Sequence, residues 1–365
     1  MSRSTWASGL LLALALPFAL TTQAQSLAVS GVLQSPAMQV PNAAHAVFSS
    51  VVRAGERLVA VGERGLILLS DDNGQQWRQA HVPVSVGLTA VQFVDARHGW
   101  AVGHAGVVLA SSDGGENWQV QLDGVRAAQL ELSAAQDALA SASDSDAAQA
   151  RIDAAQRLVD DGADKPLLDL HFSDARHGMV VGAYGMALQT HDGGQSWQSM
   201  VGQIDNPMGL HLYALAQQGS DWYLAGEQGF LAHSADAGQH FEQLQSPYEG
   251  TFFTLVARDD GSLLLGGLKG NAFLIRDGGD SIDALAVPMP VSFSDGTRLA
   301  DGRVLLANQA GAVFVLDDAG KRLQILLPAQ GKPLAGLTQA ADGSLVVAGF
   351  AGLSSLSLSA AKASE

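Results

Sequence analysis

A Gly-x-x-Gly turn recurs along this chain at an almost fixed period, and that period restricts the fold more than any other feature. The first position of the turn is Gly62, Gly103, Gly182, Gly226, Gly267, Asn308 and Gly349. Most neighbouring copies are 41 residues apart, one pair is 44 apart, and Gly103 to Gly182 spans 79. The long interval is one period carrying an insertion of 38 residues. A period of about forty residues filled with short strands is the length of a four-stranded propeller blade. Seven copies therefore predict an all-β, seven-bladed β-propeller.

The second copy shows the pattern most completely. Val91-Gln92-Phe93 leads into Asp95-Ala96-Arg97-His98-Gly99, then Trp100 to Gly103, the tip His104-Ala105, Gly106, and an alternating run from Val107 to Ala110. Period-two alternation of apolar residues is the mark of half-buried strands. The flanking glycines suggest positive φ around a two-residue tip. The DARHG turn returns verbatim at Asp174 to Gly178, and later copies shorten it to Asp260-Gly261, Asp301-Gly302 and Asp342-Gly343. Asp-Gly between apolar runs is a hairpin signal.

After each of the early glycine turns comes [Ser/Thr]-x-Asp-x-Gly-x-x-[Trp/Phe]. Four copies fit it: Ser70, Asp72, Gly74, Trp77; Ser111, Asp113, Gly115, Trp118; Thr190, Asp192, Gly194, Trp197; and Ser234, Asp236, Gly238, Phe241. Two eroded copies keep Asp277 with Gly279 and Asp318 with Gly320, and end in Ile282 and Leu323. This is the Asp-box, or BNR repeat. Its carboxylate can accept turn amides, its glycine permits the tight turn, and its aromatic buries a large area between sheets. Stabilising a hairpin explains the box without chemistry, so these aspartates are read as structural.

The string F-x-D-x-x-x-G-W-A-V-G-x-x-G-x-x-L-x-S-x-D-G-G-x-x-W runs from Phe93 to Trp118 and again from Phe172 to Trp197, with Met179 in place of the first Trp. It resembles the photosystem II stability/assembly factor family, over almost all of the chain outside the insertion. The resemblance implies a seven-bladed propeller without enzymatic activity that helps assemble a membrane protein complex. Members of that family occur in bacteria without a photosystem. Photosystem members use a basic surface patch, whereas this chain carries a formal net charge of −16. That acidity argues against nucleic acid and anionic membrane surfaces as partners, and is also what solubility alone would select.

Residues 1–24 read as a cleavable signal peptide: Arg3, an apolar core from Gly9 to Leu20 broken by Pro17, and the small-residue site Thr22-Gln23-Ala24. The core is too short for a membrane span. The mature chain, 25–365, is expected to be an exported, monomeric, periplasmic propeller, with release outside the cell as the alternative. There is no cysteine, which removes disulfides, a thiol lipid anchor and thiolate metal sites. The last repeat ends after Leu353 to Leu358 without an Asp-box, so an N-terminal strand from within Ser26 to Val40 is expected to complete that blade and close the ring.

The insertion, 124–163, falls in the link between blades 2 and 3. Val125–Leu139 and Ala147–Val159 lack Gly and Pro and favour helix, with turn and cap residues between them. Both ends must meet one link, which predicts an antiparallel helical hairpin with Leu130, Leu132, Leu139, Ile152, Leu158 and Val159 in its seam. Such a hairpin either packs on the propeller rim or serves as a docking arm. Strand direction puts DARHG turns and Asp-boxes on one face, and glycine tips, blade links and the insertion on the other. The tips vary while their frame repeats, so Glu63, Arg64, His104, Tyr184, Glu227, Lys269 and Phe350 form the candidate binding face. No catalytic, cofactor-binding or metal residues are assigned. Glu63 and Glu227 are the acids at the tips, in blades 1 and 4, whereas glycoside hydrolysis needs two carboxyls about 5–10 Å apart. His98 and His177 repeat with their turn, and His171 sits on a strand, so neither pattern reads as a metal site. A scaffold or assembly factor for an envelope or membrane complex is the leading reading. A glycan-binding module and a sialidase-like glycosidase are the alternatives.

Overall fold

The computed structural model describes residues 31–140, 142 and 144–358. The signal-peptide expectation for 1–24 lies outside them. Seven antiparallel sheets, each a simple meander, account for the repeats: six have four strands and one, the last, has three among the described residues. The first strand of each sheet faces the axis. These inner strands are β1 (Phe48–Ala54), β2 (Leu88–Phe93), β3 (Leu167–Phe172), β4 (Leu212–Gln218), β5 (Phe252–Ala257), β6 (Phe293–Arg298) and β7 (Leu334–Gln339). Each packs on the next, and β7 packs on β1, so the ring is closed.

The core is divided among the blade interfaces, as the alternating pattern requires of sheets buried on both faces. Seven apolar clusters fill the seven interfaces. The Asp-box aromatic of each blade packs toward the preceding blade: Trp118, Trp197 and Phe241 are buried in this way. Trp77 is half-buried against the core between blades 7 and 1, where the last blade has three strands among the described residues.

The expected N-terminal closing strand is corrected over residues 31–40, which form no strand. Residues 31–40 run along the outer part of blade 1, where the Ala37 amide donates to Val82 O (3.0 Å) and the Ser85 amide to Val32 O (2.8 Å). Leu33 and Ala37 reach the core between blades 1 and 2. A turn at 31–34 and Pro36, which has no N–H to give a ladder, disfavour a strand there. Residues 26–30 lie outside the described set. Among the described residues, closure comes from side chains between blades 7 and 1, with Phe48, Val51, Leu58, Val346 and Ala348 all buried.

The insertion forms α1 (Gly124–Leu139) and α2 (Ser145–Asp161), capped by Asp123 and Asp144. The two helices pack on each other, and α1 lies against the outer strand of blade 3. The fully buried apolar side chains of the hairpin are Ala127, Ala128, Ala135 and Ala155, not the larger residues expected, and Ala127 packs into the core between blades 2 and 3. Leu139 is 39% exposed, Leu132, Ile152, Leu158 and Val159 are half-buried, and the half-buried Leu130 packs against the blade 2–3 core. Small side chains let the helices approach closely. Glu131 is buried and bridges the hairpin to blade 3. It accepts from Arg151 Nε and Nη2 (2.8 and 2.9 Å) and from the Ser199 hydroxyl. The hairpin is thus docked on the rim.

Candidate functional site

Each glycine tip is built the same way, and the two glycines have different jobs. The first is extended, with φ −163° at Gly62, so positive φ is not its reason, contrary to expectation. A Cβ there would lie 2.1 Å from Val47 O, and the equivalent clash is 2.3 Å at Gly103 and 2.2 Å at Gly226. It is glycine because the incoming blade link passes against it. The first tip residue then donates its amide to that link: Glu63 to Val47 O, His104 to Gly87 O and Glu227 to His211 O.

The second tip residue is left-handed in five blades: Arg64, Ala105, Tyr184, Gln228 and Lys269 have φ between 51° and 57°. That region is costly for residues other than Gly, Asn and Asp. Ala105 is covered, because the ends of the insertion pass over its tip. Arg64, Tyr184, Gln228 and Lys269 are exposed.

The candidate binding residues divide accordingly. Glu63 and Glu227 turn back to their own blades, accepting the amides of Val47 (3.4 Å) and His211 (2.9 Å). His104, Arg64, Lys269 and Phe350 are exposed, on blades 2, 1, 5 and 7. Tyr184 and Glu227 come together around His211. The Tyr184 and His211 rings are 4.9 Å apart, and His211 Nδ1 is 3.8 Å from Glu227 Oε1. Lys165, at the foot of the insertion, holds its ammonium 5.1 Å from the Tyr184 ring centre.

From Tyr184 an aromatic path runs inward. His211 lies 6.3 Å from Tyr213, and Tyr213 lies 5.4 Å from Phe253 in an edge-on arrangement. Tyr213 and Phe253 occupy the β-bulge near the start of β4 and β5. The bulge turns these side chains toward the axis. His211, Tyr213, Phe253 and Lys165 were not singled out in the sequence. The available signal was the pair Phe252-Phe253, where two adjacent large apolar residues break the alternation.

One step deeper, β3 and β6 each place an aspartate on the channel wall. Asp169 accepts the Leu170 and Leu215 amides (both 2.8 Å), and Asp295 accepts the Leu337 amide (2.9 Å), so each ties its blade to the next. Enclosure by protein pushes the Asp169 carboxyl up to about 7, against the pull of its two amides, and the Asp295 charge adds to the rise. The same enclosure pushes Asp295 up to about 7.

The opposite face is occupied with its own architecture. In each Asp-box the hydroxyl bonds the carboxylate and receives the glycine amide: Ser70 Oγ donates to Asp72 (2.8 Å) and Gly74 N donates to Ser70 (2.9 Å). Ser111, Thr190 and Ser234 repeat this with Asp113, Asp192 and Asp236. The box glycines Gly74, Gly115, Gly194 and Gly238 have φ between 83° and 89°, which does require glycine. In the DARHG turns, Asp95 accepts the amides of Arg97 and His98 (2.7 Å each) and pairs with the His98 ring at 2.8 Å. The His ring first, and the amides after it, hold Asp95 down to about 2, and Asp174 likewise with His177. His171 packs edge-on against Trp222 at 5.2 Å. Among the described residues no cluster of three or more His, Cys, Asp or Glu could hold a metal, and no helix is long and apolar enough to cross a membrane.

The chain matches the family described as photosynthesis system II assembly factor YCF48 over residues 70–135 and 149–330. A curated relative, the photosystem II assembly lipoprotein Ycf48 of Synechococcus sp. (strain CC9902), is 30% identical over 100 residues. That match covers 26% of this chain and 30% of the relative's length. Among solved structures, YCF48 bound to D1 peptide superposes with a TM-score of 0.59 at 16% identity, over 89% of this chain and 97% of that one. A streptogramin B lyase superposes with a TM-score of 0.63 at 13% identity, over 89% and 98%. At these identities both share the fold alone.

Proposed function

The chain belongs to the photosystem II assembly factor YCF48 family, and on that premise we propose that it is a non-enzymatic, exported scaffold. Its glycine-tip face binds a segment of another protein while an envelope or membrane complex is assembled. The observation that carries this reading is the aromatic path from Tyr184 through His211 and Tyr213 to Phe253. Its outermost ring is 55% exposed and stands on a left-handed backbone at φ 57°. Strain of this kind persists where the surroundings over-determine it, and it clusters at binding sites. Rigid aromatic anchors leading into a pocket are what a protein partner needs from a small interface.

The solved YCF48 that holds a D1 peptide supports the reading, because a propeller of this family there binds a protein segment. The absence of catalysis is supported by the two tip carboxylates. Glu63 and Glu227 belong to blades 1 and 4, and each is engaged by its own blade's entry amide. The exported location rests on the leader-like residues 1–24.

A crosslinking pull-down from intact cells tests the proposal. A variant combining Tyr184→Ala and Lys269→Ala is expected to lose a partner that the wild type captures. Deletion of residues 125–162, bridged by a short link, is expected to retain it. Capture unaffected by the tip substitutions would reject the assignment of the face. A fluorogenic glycoside turned over by the wild type and not by Glu227→Gln would reject the absence of catalysis.

A further inference from the structure

The centre of the ring holds a cavity of about 270 Å³, walled by all seven inner strands. Sites that enclose a whole small molecule run from about 300 to 1,000 Å³, so this one falls just below that range and has room for an inserted side chain. Its wall has three features. Tyr213 and Phe253 form an aromatic corner near the glycine-tip end, continuous with the path from Tyr184. Thr89 and Ser294 use their hydroxyl protons on the carbonyls of Leu167 and Leu334 (2.7 Å each), which leaves their lone pairs as acceptors. Asp169 and Asp295 stand on walls from blades 3 and 6, and their amide bonds use only part of a carboxylate's acceptor capacity.

Among the described residues no Lys, Arg or His lines this cavity. Arg53 and Arg298 lie at a separate cavity beyond it, toward the DARHG face, and Arg298 is paired there with Asp259. The wall is therefore rich in acceptors and anionic when ionised, with no internal cation to balance it.

We infer that the channel receives one arginine side chain from the bound protein segment. The guanidinium suits the wall better than an ammonium. Its planar face can lie against the Tyr213–Phe253 corner while its five N–H donors reach carboxylate and hydroxyl oxygens. The formal charge of −16 would steer a basic segment to this surface. This inference rests on the glycine-tip reading above and gives its partner a chemistry. Arginine binding favours the ionised form of both carboxyls, so it releases protons and strengthens as pH rises from 6 to 8. The other titratable group in the wall, Tyr213, is itself shifted upward by burial and stays neutral over that range.

Calorimetric titration of the full chain tests the inference with the capped tripeptide Gly-Arg-Gly and its citrulline and lysine counterparts. The arginine peptide is expected to bind at least about tenfold more tightly than the citrulline peptide, and Asp169→Asn or Asp295→Asn to erase about tenfold or more of its affinity. Tyr213→Leu should weaken it further, and wild-type affinity should climb several-fold between pH 6 and 8. Equal binding of arginine and citrulline peptides, absence of arginine-peptide binding at millimolar concentration, or affinity unchanged in both Asn variants would overturn it. The wild-type peptide comparison remains decisive if an Asn variant fails to fold. Loss of arginine binding with the cellular partner still captured through Tyr184 would sink this inference alone. Arginine binding with no partner captured would sink the function alone.

Discussion

At the scale of single residues, two sets of aspartates pull stability in opposite directions with pH. An unfolded aspartyl carboxyl titrates near 3.9. Asp169 and Asp295 are held up to about 7 in the fold, so the folded chain binds protons that the unfolded chain has already released. Stability therefore falls as pH rises from about 4 to 7, by up to a few kcal/mol per group. Asp95 and Asp174, held near 2, act the other way. Their contribution is present above about pH 4 and lost as pH drops toward 2, and it is small because both are exposed. Thermal melts should give a higher midpoint at pH 5 than at pH 8, and the Asp169→Asn, Asp295→Asn double variant should remove most of that difference. A wild-type midpoint as high at pH 8 as at pH 5 would contradict the channel's electrostatics. The two sets also differ in how they could be read. Asp95 and Asp174 announce themselves because their turn is repeated verbatim. Asp169 and Asp295 sit where the other blades place Ser50, Ala90, Ala214, Thr254 and Gly336. Only closure of the ring brings two isolated residues from blades 3 and 6 to one cavity.

At the scale of elements, the glycine tip separates a conserved frame from a variable display within one chain. Its first residue clamps the blade link, and its second is presented in a strained backbone. If Tyr184 is there for its ring, replacing it with a residue that tolerates left-handed φ should not harm the fold. Tyr184→Asn is expected to keep or slightly raise the melting temperature while abolishing partner capture. A clear fall in stability would make the ring structural. The helical hairpin illustrates the limit of periodicity. Its existence and its place between blades 2 and 3 follow from an interrupted repeat and a run without Gly or Pro. Its seam was expected among leucines, because large apolar residues are the usual signal. Close approach selected alanines instead, and a buried Glu131 could not be foreseen without knowing that Arg151 and Ser199 would meet it. Glu131→Ala strands the Arg151 charge against the rim, a loss of about 3 kcal/mol of docking energy. Limited proteolysis should then cut α1 and α2 rapidly while the propeller still melts as a unit. Unchanged protease resistance would show that the ion pair does not hold the hairpin.

At the scale of the whole molecule, the period alone specified the number of blades, because each repeat can bury its faces only against its neighbours. How the ring closes was not legible. A missing Asp-box suggested a strand donated by the N-terminus, but residues 31–40 found a better apolar seat between blades 1 and 2, and the last interface closes through side chains. Phe48→Ala should accordingly cost about 3–5 kcal/mol, and removal of residues 31–40 much less. A truncation as damaging as Phe48→Ala would restore the N-terminal segment as the clasp. The closed ring leaves one face filled with Asp-boxes and turns and the other carrying the tips, the aromatic path and the channel mouth, which is the central functional claim. Site-specific photo-crosslinking in intact cells tests it within a single blade, with a photoreactive phenylalanine analogue, which keeps an aromatic ring, at 184 on the tip face or at 176 in the DARHG turn. A discrete crosslinked protein from position 184 and none from 176 is expected; the same product from 176, or crosslinking from 176 alone, would contradict it.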